Sequence, residues 1–118
     1  MSTPTHGPQY AIYVRVATAD QVTGEALAAQ IAACQTLATQ DGCVVPSAYV
    51  CVDHGVSSLT LDRPALQQVR ELVRSRAITA FYVADPARLS RNLDHYCLLT
   101  DECARHQVTV RLAVEELD

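Results

Sequence analysis

Apolar residues in this chain recur with two periods in turn, and that alternation restricts the fold more than any other feature of the sequence. Tyr10 to Val16 is a β-branched and aromatic run of strand type. From Ala26 onward Leu27, Ile31, Cys34, Leu37 and Ala38 return at helical spacing, until Asp41-Gly42 stops the helix. Val44 to Val52 reads as a second strand, interrupted early by Pro46, and Asp53 to Leu61, rich in Ser and Gly, reads as a loop. A second helix is expected from Asp62, its N-cap, with Pro64 in the first turn and Leu66, Val69, Leu72 and Val73 as the buried stripe up to Arg76. Ile78 to Ala84 reads as a strand covered on both faces, and Asp85 to Ser90 as a loop. Ser90 is the expected N-cap of a third helix, whose stripe is Leu93, Tyr96, Cys97, Thr100, Cys103 and Ala104, and Val108 to Val114 is the last strand.

Three strand-helix units closed by a strand imply an α/β fold, an open and mainly parallel sheet with helices on both faces. Ligands of such sheets sit beyond the carboxyl ends of the strands. Segments 16–23, 53–61 and 85–91 are expected at that edge. The 118 residues allow one domain, read as a flexible leader over 1–9 followed by a single unit over 10–118. Apolar residues form 49% of the chain and charged residues 19%, a balance that suits a packed aliphatic core rather than disorder. No apolar run approaches the roughly 20 residues needed to span a bilayer, and Met1 to Pro8 lacks the regions of a signal peptide, so a cytoplasmic protein is expected.

Cys34, Cys43, Cys51, Cys97 and Cys103 form no Cys-x-x-Cys pair and read as small buried apolar residues in a reducing compartment. His95, Cys103 and His106 would share one side of a helix, but no fourth ligand stands at zinc-finger spacing, and neither metal nor cofactor is expected. The net charge of −4 gives no overall footprint for gripping a duplex, so any contact with DNA must be local. All nine basic residues are arginine, which excludes a lysine Schiff base and a P-loop lysine and leaves the side chain best shaped for phosphate.

Arg15, Arg63, Arg88 and Arg91 are expected at or near one edge of the sheet. Four guanidinium groups converging on a cleft would stabilise a phosphodiester, most of all as it gains charge in a five-coordinate transition state. Taken singly, each also fits a solvated surface arginine or a partner for Asp20, Asp53, Asp62 or Asp85.

Three blocks carry a resemblance to a known family. Tyr13-Val14-Arg15-Val16-Ala17-Thr18, followed by Gln21 and Gln30, resembles the opening motif Tyr-x-Arg-Val-Ser-Thr of serine site-specific recombinases of the resolvase/invertase type. Asp53-His54-Gly55-Val56-Ser57-Ser58, leading to Asp62-Arg63-Pro64-Ala65-Leu66, resembles the second block of that family, and Asp85-Pro86-Ala87-Arg88-Leu89-Ser90-Arg91-Asn92 the third. The order and spacing agree along nearly the whole chain.

The resemblance implies a resolvase-like catalytic domain, DNA as partner, and a dimer or tetramer built with further polypeptide. A serine hydroxyl would attack the scissile phosphate and form a covalent phosphoserine link, with no metal or nucleotide required. Arg15, Arg88 and Arg91 would hold the phosphate oxygens, Arg63 and Ser57 would support the site, and Gln30 would help to position it. The long helix and the sequence-reading domain that follow in the family lie beyond Asp118.

The departures from the motif bear on activity. Ala17 stands at the nucleophile position and has no hydroxyl, and Ala87 stands where the family has an acidic residue. Ser58 replaces a glycine. Loss of the nucleophile alone removes several orders of magnitude in rate, so no strand cleavage is expected. Thr18 is hindered as a substitute, and Ser57 is the better placed of the two. A non-enzymatic remnant serving subunit assembly or regulation is the alternative. A flavodoxin-like or receiver-like domain fits less well, because the chain has no lysine and its five tyrosines fall in strands or helices.

Overall fold

A computed structural model describes residues 9–17, 24–55 and 59–113. The elements follow in the order β1 (Tyr10–Val16), α1 (Glu25–Gln40), β2 (Val50–His54), α2 (Pro64–Arg74), β3 (Ala80–Val83), α3 (Pro86–Leu89), α4 (Leu93–Arg105) and β4 (Thr109–Leu112), with one turn of 3-10 helix over Ser47–Tyr49 before β2. The four strands are all parallel and stand in the order β2-β1-β3-β4.

Alternation along the strands divides the core between two helical layers. Ile12, Val14, Val16 and Tyr82 face α1 and pack with Cys34 and Ala38. Ala11, Tyr13, Cys51, Phe81 and Val83 face the other way, onto Leu66, Val69 and Val73 of α2 and Leu99 and Cys103 of α4. Chain connections therefore leave the central strands β1 and β3 on opposite sides of the sheet, α1 on one face and α4 on the other. The direction of connection thus switches between β1 and β3, and the carboxyl ends of that pair are where sheets of this kind hold ligands.

The expected α/β architecture is present, with several boundaries moved. The strand expected over Val44 to Val52 forms only from Val50: Val44 is 82% exposed, Pro46 has no N–H to give a ladder, and pairing with β1 begins at Ile12↔Val50. β2 in turn runs on through Asp53 and His54, which the sequence assigns to a loop. The segment Asp85 to Ser90 contains the single helical turn α3, capped by the Asp85 carboxylate accepting from Arg88 N at 3.2 Å. α2 ends at Arg74 rather than Arg76, whose φ of 60° is left-handed. β3 and β4 are shorter than the apolar runs that hold them.

Two expected caps are replaced. Asp62 does not cap α2; the carboxylate of Asp53, on β2, accepts from Ala65 N at 2.8 Å and Leu66 N at 3.0 Å. Asn92, not Ser90, caps α4, accepting from His95 N at 3.1 Å. Of the cysteines, Cys34, Cys51 and Cys103 are buried as expected, whereas Cys43 is half-buried and Cys97 exposed. Burial pushes the Cys34 thiol up to about 12 and those of Cys51 and Cys103 up to about 11. The leader lies outside the described residues except for Gln9, whose carbonyl accepts from Thr79 N at 2.9 Å.

Candidate functional site

The crevice between the carboxyl ends of β1 and β3 gathers residues from three elements. Arg15 is the penultimate residue of β1, and its carbonyl oxygen is held from both sides. Gln30 Nε2 of α1 donates to it at 3.1 Å, and Arg88 Nη1 of α3 reaches it at 3.5 Å. Gln30 is buried, and its amide closes α1 onto the end of β1. Arg88 Nε also lies 3.7 Å from the Asp85 carboxylate, so the guanidinium is tethered at one end and half-exposed at the other.

Burial, and then the positive charge of Arg88, push the Arg15 guanidinium below its ordinary range, with Arg63 and Arg91 adding to the effect. Arg91, three residues past Arg88, is exposed. Ala17 is the first residue beyond β1 and is exposed, and Ala87 is half-buried on α3 beside Arg88. Arg15, Gln30 and Arg88 are thus brought together at the end of β1, with Ala17 two residues past Arg15 and Ala87 next to Arg88 along the chain. Ser57, together with Thr18 and Ser58, lies outside the described residues.

Arg63 departs from the expected convergence of four guanidinium groups. It is fully buried, and its donors are spent on the protein: Nε to Thr60 O at 2.9 Å, Nη1 to Tyr13 Oη and to Arg88 O at 3.2 Å each, and Nη2 to Leu89 O. The guanidinium also lies 5.7 Å from the centre of the Tyr13 ring. No face of it remains for a phosphate. Its two carbonyl partners in α3 make it the tie that fixes the turn carrying Arg88.

Tyr13 and Asp53 open two of the sequence blocks, but the contact between them is visible only in the structure. Tyr13 Oη donates to Asp53 Oδ2 at 2.8 Å, and the same carboxylate caps α2. Burial raises the Tyr13 phenol far above its ordinary range, with the Arg63 charge opposing and the Asp53 hydrogen bond reinforcing, so it stays protonated and keeps donating. The available signal was the strand period: Asp53 lies two residues beyond Cys51 and therefore on the same buried face. Among the described residues no three His, Cys, Asp or Glu side chains gather as a metal cluster, and His106 Nδ1 is spent within α4 at 2.9 Å from Glu102 O.

The sequence model of the family described as "Resolvase, N terminal domain" matches residues 10–118. The chain belongs to the resolvase family of serine recombinases. A relative in Bacillus subtilis (strain 168), described as "Putative DNA recombinase", is 37% identical over 100 residues. That match covers 83% of this chain and only 19% of the relative, so this chain spans about a fifth of that protein. Among solved structures, the C-terminal catalytic domain of ISC1926 TnpA, an IS607-like serine recombinase, superposes with a TM-score of 0.79 at 25% identity, over 91% of this chain and 71% of that one. The N-terminal catalytic domain of TP901-1 integrase superposes with a TM-score of 0.74 at 28% identity, over 87% and 76% respectively. The resolvase-type catalytic fold accounts for nearly the whole chain. No helix among the described residues is long and apolar enough to cross a membrane.

Proposed function

We propose that this domain is a serine recombinase catalytic domain that keeps the grip on a DNA phosphate and has lost strand cleavage. The reading rests on Ala17, an exposed residue at the first position beyond β1 and two residues past Arg15, whose carbonyl Arg88 reaches at the end of that strand. In the family chemistry, a hydroxyl at this position attacks phosphorus, a P–O bond to serine forms as the bond to the DNA oxygen breaks, and arginines carry the charge that accumulates. Here the arginines remain and the attacking oxygen is missing. Ala87 also supplies no carboxylate to handle the proton of a nucleophile or leaving group.

Water does not replace the hydroxyl for free, because it needs a base to hold it in line, and the position nearest Arg88 on α3 offers only a methyl. The buried tie of Tyr13, Asp53 and Arg63 is nonetheless complete. A finished scaffold around a silent centre suits a subunit that joins a recombinase assembly on DNA without cutting, which is the role proposed for it.

Incubation with supercoiled plasmid, followed by denaturing gels, tests the reading. The expected result is neither nicked plasmid nor a covalent protein-DNA band; such a band would refute it. The double substitution Ala17→Ser with Ala87→Asp restores the two missing groups and is expected to yield a covalent adduct that nuclease digestion reduces to a phosphoserine at residue 17.

A further inference from the structure

A pocket of about 310 Å³ is lined by Pro86, Ser90, Arg91, Leu93 and Tyr96. Leu93, the first residue of α4, is 73% exposed there, a large aliphatic group that the core does not use. Tyr96 is half-buried and packed against the core, which fixes its ring. The loop between α3 and α4 is also set, because Ser90 Oγ accepts from Asn92 N at 3.0 Å. The pocket is therefore preformed: an aromatic ring, an aliphatic side chain and a proline ring form its walls, and a cation stands at its mouth.

Resting on the reading of the arginine crevice as a phosphate site, we propose that this pocket receives one nucleobase, the base attached to the nucleotide whose phosphate the arginines hold. Charge and shape argue for this occupant together. Arg91 lines the pocket together with Pro86 and Ser90, which bracket the turn carrying Arg88, so an anion held by Arg88 and an apolar group in the pocket would be close neighbours. A nucleotide joins an anion to a flat ring over that span. The volume lies at the lower end of small-ligand pockets, enough for one base with its sugar and too little for a base pair. The base must therefore leave its stack, and the domain prefers single-stranded or locally unpaired DNA to intact duplex. Stacking on one aromatic ring is sequence-tolerant, so no preference among the four bases is expected.

The test compares two short single strands at low salt by NMR titration of the arginine Nε–H signals. One is a thymidine oligonucleotide and the other has the same phosphodiester backbone with abasic sugars. The base-bearing strand is expected to bind about tenfold more tightly. Leu93→Ser, at an exposed position that folding does not need, and Tyr96→Leu, which keeps apolar volume against the core, are each expected to remove most of that difference while leaving abasic binding unchanged. Equal affinity for the two strands overturns the subsite and leaves the phosphate reading standing. Failure of both strands to shift Arg88 and Arg91 overturns the phosphate reading and the subsite with it. A change in sedimentation on Leu93→Ser, with the preference for bases intact, assigns the patch to a protein contact and overturns the proposal.

Discussion

Arg63 shows how a residue picked out by the sequence acquires its role only from its surroundings. A guanidinium withdrawn from water costs several kcal/mol unless its donors and its charge are both answered. Thr60, Arg88, Leu89 and Tyr13 answer the donors, and Asp53, one phenol away, answers the charge. Removing each member of this tie has a different expected cost. Tyr13→Phe leaves Asp53 Oδ2 with Leu66 N and Arg63 Nη1 with Arg88 O, so a loss of about 1 kcal/mol is expected. Asp53→Ala strips α2 of its cap and leaves the buried guanidinium without a counter-charge, for an expected loss of about 3–5 kcal/mol. Urea denaturation of the two variants decides the matter; equal losses would mean that Asp53 carries no more than one hydrogen bond. The sequence made Arg63 visible through its motif, as a neighbour of the cleft. It could not show that the side chain turns inward, because that depends on carbonyls 25 and 26 residues away.

At the level of elements, α2 and α4 are joined by one carboxylate serving two arginines. Glu102 accepts from Arg70 Nε at 2.8 Å and from Arg74 Nη1 at 3.1 Å, and it is buried. Burial pushes its carboxyl up, but the hydrogen bonds and charges of Arg70 and Arg74 outweigh that, and the net shift is below the ordinary range. A carboxylate depressed on folding adds stability above its unfolded value of about 4.3, and that stability is lost as pH falls through the lower folded value. Glu102→Gln is therefore expected to cost about 2 kcal/mol at pH 7, between an exposed and a fully buried pair. The gap between wild type and variant should close as the pH approaches 3. A gap that stays constant from pH 7 to pH 3, measured by chemical denaturation, would show that Glu102 acts through packing alone. Helix periods were legible in the sequence for α1, α2 and α4, because their stripes are long and regular. The ends were not: Asp53 replaces Asp62 as the cap of α2 from a neighbouring strand, which local pattern cannot reveal.

For the whole molecule, strand order β2-β1-β3-β4 determines where an anion can be held. Among the described residues, β1 and β3 are adjacent strands followed by helices on opposite faces of the sheet, and Arg88 reaches the Arg15 carbonyl at their carboxyl ends. The sequence indicated a parallel sheet through its alternating periods. It left the order of strands open, since any of the apolar runs could stand at the centre. The whole chain, these arginines included, carries a net charge of −4, so a duplex meets attraction at one place and repulsion over much of the remaining surface. If Arg15, Arg88 and Arg91 together neutralise about two phosphates, the logarithm of the DNA association constant should fall with the logarithm of salt concentration at a slope of about −2. Arg88→Ala should reduce the magnitude of that slope by about 1, because one phosphate contact is lost, whereas Arg105→Ala, on the exposed end of α4, should leave it unchanged. A slope several times steeper, or one indifferent to Arg88, would mean that DNA is gripped over a broad face. Contact would then lie elsewhere on the surface, whereas a shallow slope that depends on Arg88 would tie binding to the end of β1, where Arg88 reaches the Arg15 carbonyl.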